Sequence, residues 1–200
     1  MSAKVTRGNG LLEAFLAKKR GQLTDKLIPS SCRTGRILDI GCGSFPLFLT
    51  GIEFAGKYAL DKKAVEESRE LDGQGITFLN FDIEMGEKLP FDDEYFDVVT
   101  MLAVFEHIEP AKLTVILKEI HRILKKKGLY VLTTPAVWTQ SLLKLMASFN
   151  LVSSAEIEEH KGAYNHRLIA ELLGDAFFPP EKMRFGYFEM FMNNWAVAEK

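Results

Sequence analysis

The sequence has little cysteine, no long apolar run and almost no excess charge, and each shortage removes a class of function. Only Cys32 and Cys42 occur in the 200 residues, and Cys42 lies inside a glycine turn. A disulfide framework is therefore not expected, and two free thiols in a reducing cytoplasm are. No stretch approaches the roughly 20 apolar residues that a membrane span needs. The N-terminus lacks the compact apolar core and cleavage site of a signal peptide, so the expected location is cytoplasmic. A formal net charge of -2 gives no strong basic field, and nucleic acid is not an expected partner. Repeats, low-complexity segments and linkers are missing too. With 47% hydrophobic residues, the chain suits one α/β domain with a sizeable core.

What is present centres on Arg36 to Phe48, which reads R-I-L-D-I-G-C-G-S-F-P-L-F. Ile37, Leu38 and Ile40 make a short buried strand. Gly41 and Gly43 turn the chain, and Pro46 suits the first turn of a helix, where its missing N–H is no loss. Strand, glycine turn and helix N-terminus make a site for a nucleotide-like ligand, because small residues admit close approach and free backbone N–H groups face it. A dinucleotide fingerprint would need a third glycine where Pro46 stands, and would place a pyrophosphate beside the buried Asp39. A nicotinamide-dependent oxidoreductase is disfavoured on both counts. A carboxylate at that point suits a cationic or ammonium-bearing ligand.

D-I-G-C-G resembles motif I of the class I S-adenosylmethionine-dependent methyltransferases, whose cofactor carries a sulfonium and an amino group but no phosphate. Phe45 stands where the family often has another glycine. Two further blocks carry the resemblance: L-P-F-D-D-E-Y-F-D-V-V, and the helix E-I-H-R-I-L-K-K-K-G followed by a strand. The motif set is close to that of ubiquinone and menaquinone methylases, which share the E-H pair at Glu106 and His107. The resemblance implies an α/β, Rossmann-like single domain: a seven-stranded, mostly parallel sheet with an antiparallel C-terminal strand and helices on both faces. It divides the chain into an N-terminal helix or lid over 1–34 and a methyltransferase domain over 35–200, with a substrate-side insertion at 135–161.

In chain order, Leu11, Leu12, Phe15, Leu16, Leu23 and Leu27 fall at helical spacing, with Lys18, Lys19 and Arg20 on the polar face. Either this is a solvated basic helix or, as in similar methyltransferases, a lid whose Arg20 meets the cofactor carboxylate or an acidic substrate. A short helix (about Pro46 to Glu53) precedes a strand at Gly56 to Leu60. That strand ends at Asp61, about 20 positions past the glycines and placed to accept hydrogen bonds from ribose hydroxyls. The alternative is a helix N-cap for a charged helix over Lys62 to Leu71. A third strand, Gly75 to Leu79, leads to Asp82 and Ile83. The resemblance puts them at the adenine amino group and ring, and adds Leu102 and Ala103 to Asp39, Gly41, Gly43 and Asp61 as cofactor contacts.

A strand over Phe96 to Leu102 brings Glu106 and His107 to the end of the sheet where such folds place ligands. Ala111 to Leu124 reads as a helix with Leu113, Ile116, Leu117, Ile120 and Leu124 as its apolar stripe. Lys125, Lys126 and Lys127 read as its cationic cap and Gly128 as its stop, before a strand at Leu129 to Thr133. Trp138 opens an apolar helix running to Phe149, which is core, a pocket wall or a dimer contact. A helix from Asn165 to Gly174 follows the segment holding His160, Tyr164 and His166. The tail alternates as a hairpin linked at Glu189.

The implied reaction is methyl transfer from S-adenosylmethionine to a small-molecule acceptor, by a monomer or homodimer. Arg20, Trp138 and Tyr164 are the substrate-contact candidates. A hydroxyl acceptor needs a base, for which His107 is the first candidate and His160 the second; an amine, carboxylate or carbon acceptor stays equally open. No metal is expected, since His160, Tyr164 and His166 lack tight ligand spacing. The rival reading is a methyltransferase-like binding module that activates a partner enzyme without turnover.

Overall fold

The computed structural model describes residues 13–62, 73–86, 88–139 and 160–200. The charged helix expected over Lys62 to Leu71, and most of the helix expected after Trp138, lie outside these residues. The strands are β1 (Arg36–Ile40), β2 (Gly56–Asp61), β3 (Ile76–Asn80), β4 (Phe96–Leu102), β5 (Leu124–Pro135), β6 (Met183–Phe188) and β7 (Asn193–Glu199). They form one seven-stranded sheet in the order β3-β2-β1-β4-β5-β7-β6. Strands β1 to β5 pair in parallel, and β7 runs antiparallel to both β5 and β6. The seven-stranded, mostly parallel sheet with an antiparallel last strand is the expected architecture.

Helices cover both faces. Helix α3 (Pro110–Ile123) starts with proline at its first turn and buries Leu113, Ile116, Leu117, Ile120 and Ile123. With α4 (His166–Asp175) it packs over Leu38, Ile40, Val99, Met101, Tyr130 and Leu132. On the opposite face, Ile28 at the end of α1 (Glu13–Leu27) and Phe48 and Leu49 of α2 (Leu47–Thr50) meet Ile37, Ala59, Val98 and Val131. Burial on both faces explains why β1 and β4 read as continuous apolar runs. The strand order reverses at β1, where β2 and β4 diverge, and the crevice at their carboxyl ends is the ligand position of open α/β sheets. No helix among the described residues is long and apolar enough to cross a membrane.

Three local readings are corrected. The helix expected from Pro46 to Glu53 is only Leu47–Thr50, closed by a turn at Gly51. Lys125 to Lys127 do not cap α3, because the chain becomes extended at Leu124 and these lysines start β5. Gly128 therefore stops no helix. Finally, the β6–β7 link is Glu189 to Met192 rather than one residue, with left-handed backbone at Glu189, Met190 and Phe191.

Candidate functional site

Asp39 sits beside Thr100 in the β1–β4 register, and the Thr100 hydroxyl donates to its Oδ1 at 2.7 Å. The carboxyl is buried, and that burial raises its pKa to about 7. The Asp61 charge adds to the rise, while the Thr100 hydrogen bond and Arg20 oppose it. Beyond the strand, the Gly41 N–H donates to Leu60 O at 2.7 Å, and Gly41 and Gly43 take left-handed backbone at φ 76° and 73°. A Cβ on Gly41 would stand 2.4 Å from Val104 Cγ2, so the turn requires glycine for space as well as for conformation.

Asp61 closes the turn from the neighbouring strand: its Oδ2 accepts the Gly43 N–H at 2.8 Å. Asp82 forms an Asx turn, accepting the Glu84 N–H at 2.9 Å. At the end of β4, Ala103 adopts φ 54°, held by its N–H to Thr133 O at 2.9 Å. A non-glycine residue in this region at the mouth of a crevice marks a backbone fixed by its surroundings.

Two cavities meet at Gly41. One is lined by Asp61, Asp82, Ile83, Val104 and His107 among others. The other is lined by Asp39, Cys42, Leu102 and by Ala17 and Arg20 of α1, among others. The structure thus brings together Arg20, Asp39, Gly41, Asp61, Asp82, Ile83, Leu102 and His107, with Gly43 and Ala103 adjacent in the chain. One compartment offers the carboxylates of Asp61, Asp82 and Glu84 and an apolar wall. The other offers a buried carboxylate and a guanidinium. This donor set fits the two halves of S-adenosylmethionine: a ribose and adenine on the first side, an ammonium and carboxylate on the second.

His160 stands against His107, with ring centroids 4.9 Å apart in an edge-to-face arrangement. Burial holds the His160 imidazole below its ordinary pKa. Tyr164 is buried with its ring edge on Phe105 at 4.8 Å, and its phenol is pushed up by burial and by the charges of Glu106 and Glu109. Trp138 and His166 lie away from the cavities. Trp138 is exposed and its indole N–H donates to Phe191 O, and His166 bonds Gly186 O beside Tyr187 on the β6 side. Sequence reasoning missed Thr100 and Val104; strand parity through Asp39's neighbours would have found Thr100.

Residues 38–132 match a family model described as a methyltransferase domain. Over this segment the chain is similar to that family, and as a whole it has the fold of solved S-adenosylmethionine-dependent methyltransferases. No curated protein matches. Among solved structures, the chain is similar to an S-adenosylmethionine-dependent methyltransferase of Thermotoga maritima, at TM-score 0.68 and 20% identity, over 93% of this chain and 89% of that one. Another from Archaeoglobus fulgidus gives TM-score 0.67 and 17% identity, over 92% and 94%. A third is a complex of the Haloferax volcanii Trm112 methyltransferase activator with a methyltransferase, at TM-score 0.66 and 17% identity over 94% and 95%.

Proposed function

We propose that the protein transfers a methyl group from S-adenosylmethionine to a small-molecule acceptor that enters beside His107. The observation that carries this reading is the pair of cavities joined at Gly41, one walled by Asp61 and Asp82 and the other by Asp39 and Arg20. Bound there, the cofactor supplies a methyl group already activated by a positive sulfur. The chain's own task is therefore mainly alignment, which can supply roughly 7–11 kcal/mol of a barrier. Asp61 and Asp82 hold the nucleoside end. Asp39 faces the ammonium and Arg20 the carboxylate, and α1 covers that end as a lid. His107, backed by His160, is the candidate base for a hydroxyl acceptor. The Haloferax complex joins a methyltransferase to a separate activator, which lends no support to the reading of this chain as an activating module.

The test is thermal unfolding with S-adenosylmethionine, S-adenosylhomocysteine and NADH in parallel. A ligand at one hundred times its Kd adds about 2.7 kcal/mol, a shift of several degrees for a chain of this size. A rise with the adenosyl compounds alone is expected; a rise with NADH alone, or with none, refutes the reading.

Asp61 supplies a second check. Its carboxylate is asked both to hold the Gly43 N–H and to accept from ribose. Asp61→Ala removes both, and calorimetry should show S-adenosylhomocysteine binding weakened by about 1–3 kcal/mol. Asp61→Asn keeps one carbonyl oxygen for Gly43 and should fall between the two. An unchanged Kd in Asp61→Ala would remove the ribose role.

A further inference from the structure

We propose that Glu106, His107 and His160 form a binding site for one divalent first-row transition-metal ion on the acceptor side of the cleft. One ligand atom from each of the three residues lies within 4.8 Å of the others. Donors about 2.1 Å from a common ion stand at most about 4.2 Å apart, so small side-chain rotations close the set. Two imidazoles and one carboxylate select zinc, iron, cobalt or manganese over calcium and magnesium, which prefer all-oxygen ligands.

Burial and fastening separate this triad from an incidental surface cluster. Glu106 is only 2% exposed, and both histidines are half-buried. Glu106 and His107 belong to a short 3-10 turn at the end of β4, while His160 comes from a segment distant in sequence. That segment is held by the backbone: the N–H groups of Lys161 and Gly162 both donate to Glu106 O, at 2.8 and 3.2 Å. Lys161 Nζ adds ion pairs to Glu84 at 3.3 Å and Glu109 at 3.1 Å. A Cβ on Gly162 would stand 2.3 Å from Tyr164 Oη in the same segment, so glycine leaves room for the buried Tyr164 ring. The cation of Lys161 is thereby engaged at the rim with Glu84 and Glu109.

Three protein ligands leave coordination positions open, and His107 lines the same cavity as Asp61 and Asp82. An ion here would receive an acceptor hydroxyl at the edge of the cofactor cleft and lower its pKa toward neutrality. The role, though not the site, rests on the methyl-transfer reading. The acceptor O–H bond breaks with its proton leaving to solvent. The electron pair left on oxygen forms the bond to the methyl carbon, as the carbon–sulfur bond breaks with its pair going to sulfur. His107 would then act as a ligand and not as a base, and the acceptor class narrows to hydroxyl compounds.

The experiment is titration of tag-free, chelator-treated protein with cobalt(II), followed by visible absorption, and with zinc(II), followed by calorimetry. One saturable site per chain is expected. In His160→Ala and Glu106→Gln, affinity should fall beyond the about 10–100-fold that loss of a merely supporting partner costs. Retained S-adenosylhomocysteine binding and an unchanged circular dichroism spectrum establish that each variant is folded. Should a variant not fold, manganese(II) added to the wild type gives an independent reading, because it should broaden the ring signals of His107 and His160 before those of His121 and His166. Absence of saturable binding overturns the proposal, as does binding undiminished in a folded His160→Ala or broadening that spares His107 and His160. Metal binding without any adenosyl-ligand binding would leave this site standing and remove the methyl-transfer reading; the converse would remove only the site.

Discussion

Replacing Asp39 by asparagine should make the ligand-free protein more stable at pH 8 and its cofactor complex weaker. Burial raises the Asp39 pKa from 3.8 to about 7, with the Asp61 charge adding to the rise and Thr100 and Arg20 opposing it. A carboxyl with a folded pKa above its unfolded value holds its proton in the native state after the unfolded chain has lost it. Its contribution to stability is therefore greatest in acid, falls as pH rises from about 4 to about 7, and stays low above that. The full span corresponds to about 4 kcal/mol as an upper bound. Asparagine keeps the size and an acceptor for the Thr100 hydroxyl but carries no charge. Urea unfolding between pH 5 and 8 should show wild-type stability declining relative to the variant across this window. Parallel profiles would mean that the carboxyl is not titrating there.

The binding side has the opposite sign. An ammonium group beside Asp39 favours the ionised carboxylate, so binding expels a proton and wild-type affinity should climb as pH approaches and passes 7. Asp39→Asn should lose about 2 kcal/mol of affinity, the value of a hydrogen bond to a charged acceptor, together with that pH dependence. On the proposed cofactor reading, ionising Asp39 is unfavourable in the empty protein and is offset by the ligand ammonium on binding.

The sheet was legible because β1 and β4 are buried on both faces and the local glycine signal is strong. The expected β4, Phe96 to Leu102, matches the observed strand at both ends. Reading failed where distant partners outweigh local preference. By helix logic Lys125 to Lys127 complete a cationic cap worth a few tenths of a kcal/mol to about one. In the fold, Lys125 pairs with Asp97 at 2.7 Å, the Lys127 N–H bonds Lys200 O and the Lys200 N–H bonds Gly128 O. These strand-end contacts join residues 28 to 73 positions apart and are invisible to a local window.

The candidate site divides in the same way. Asp39, Gly41, Gly43, Asp61 and Asp82 lie at strand ends, where chain order alone ranks them, and the fold gathers them around one crevice. Glu106, His107 and His160 are gathered by the hydrogen bonds of Lys161 and Gly162 to Glu106 O. Residue spacing carries no trace of that contact, which is why the histidines read only as separate base candidates.

The L-P-F-x-D block and the E-I-x-R-I-L helix, two separate marks of resemblance in the sequence, are one structure in space, and Arg122 joins them. Its guanidinium donates to Leu89 O at 3.1 Å, Phe91 O at 2.9 Å, Asp93 Oδ1 at 2.7 Å and both oxygens of Glu119 at 2.9 and 2.8 Å. Glu119 in turn accepts the Leu89 N–H at 2.9 Å. Burial acts to raise the Glu119 pKa, but its bonds to Arg122 and Leu89 outweigh that and hold it below the ordinary carboxylate value. The clamp sets Phe91 against Phe96 and Tyr58, beneath the aromatic edge of the sheet. Arg122→Ala leaves two carbonyls and the half-buried Glu119 carboxylate without this partner, and should cost about 3 kcal/mol of unfolding free energy. Arg122→Lys should recover little of it, because a compact ammonium cannot span the carbonyls and the carboxylates as the planar fork does. Chemical denaturation of both variants, with Glu119→Gln completing a double-mutant cycle, separates the clamp from simple side-chain packing. If Arg122→Lys restores wild-type stability, charge alone suffices and the fork geometry carries no weight. Strong coupling between Arg122 and Glu119, with lysine failing, would establish that a bidentate pair within the helix holds the guanidinium in place for its contacts to Leu89, Phe91 and Asp93.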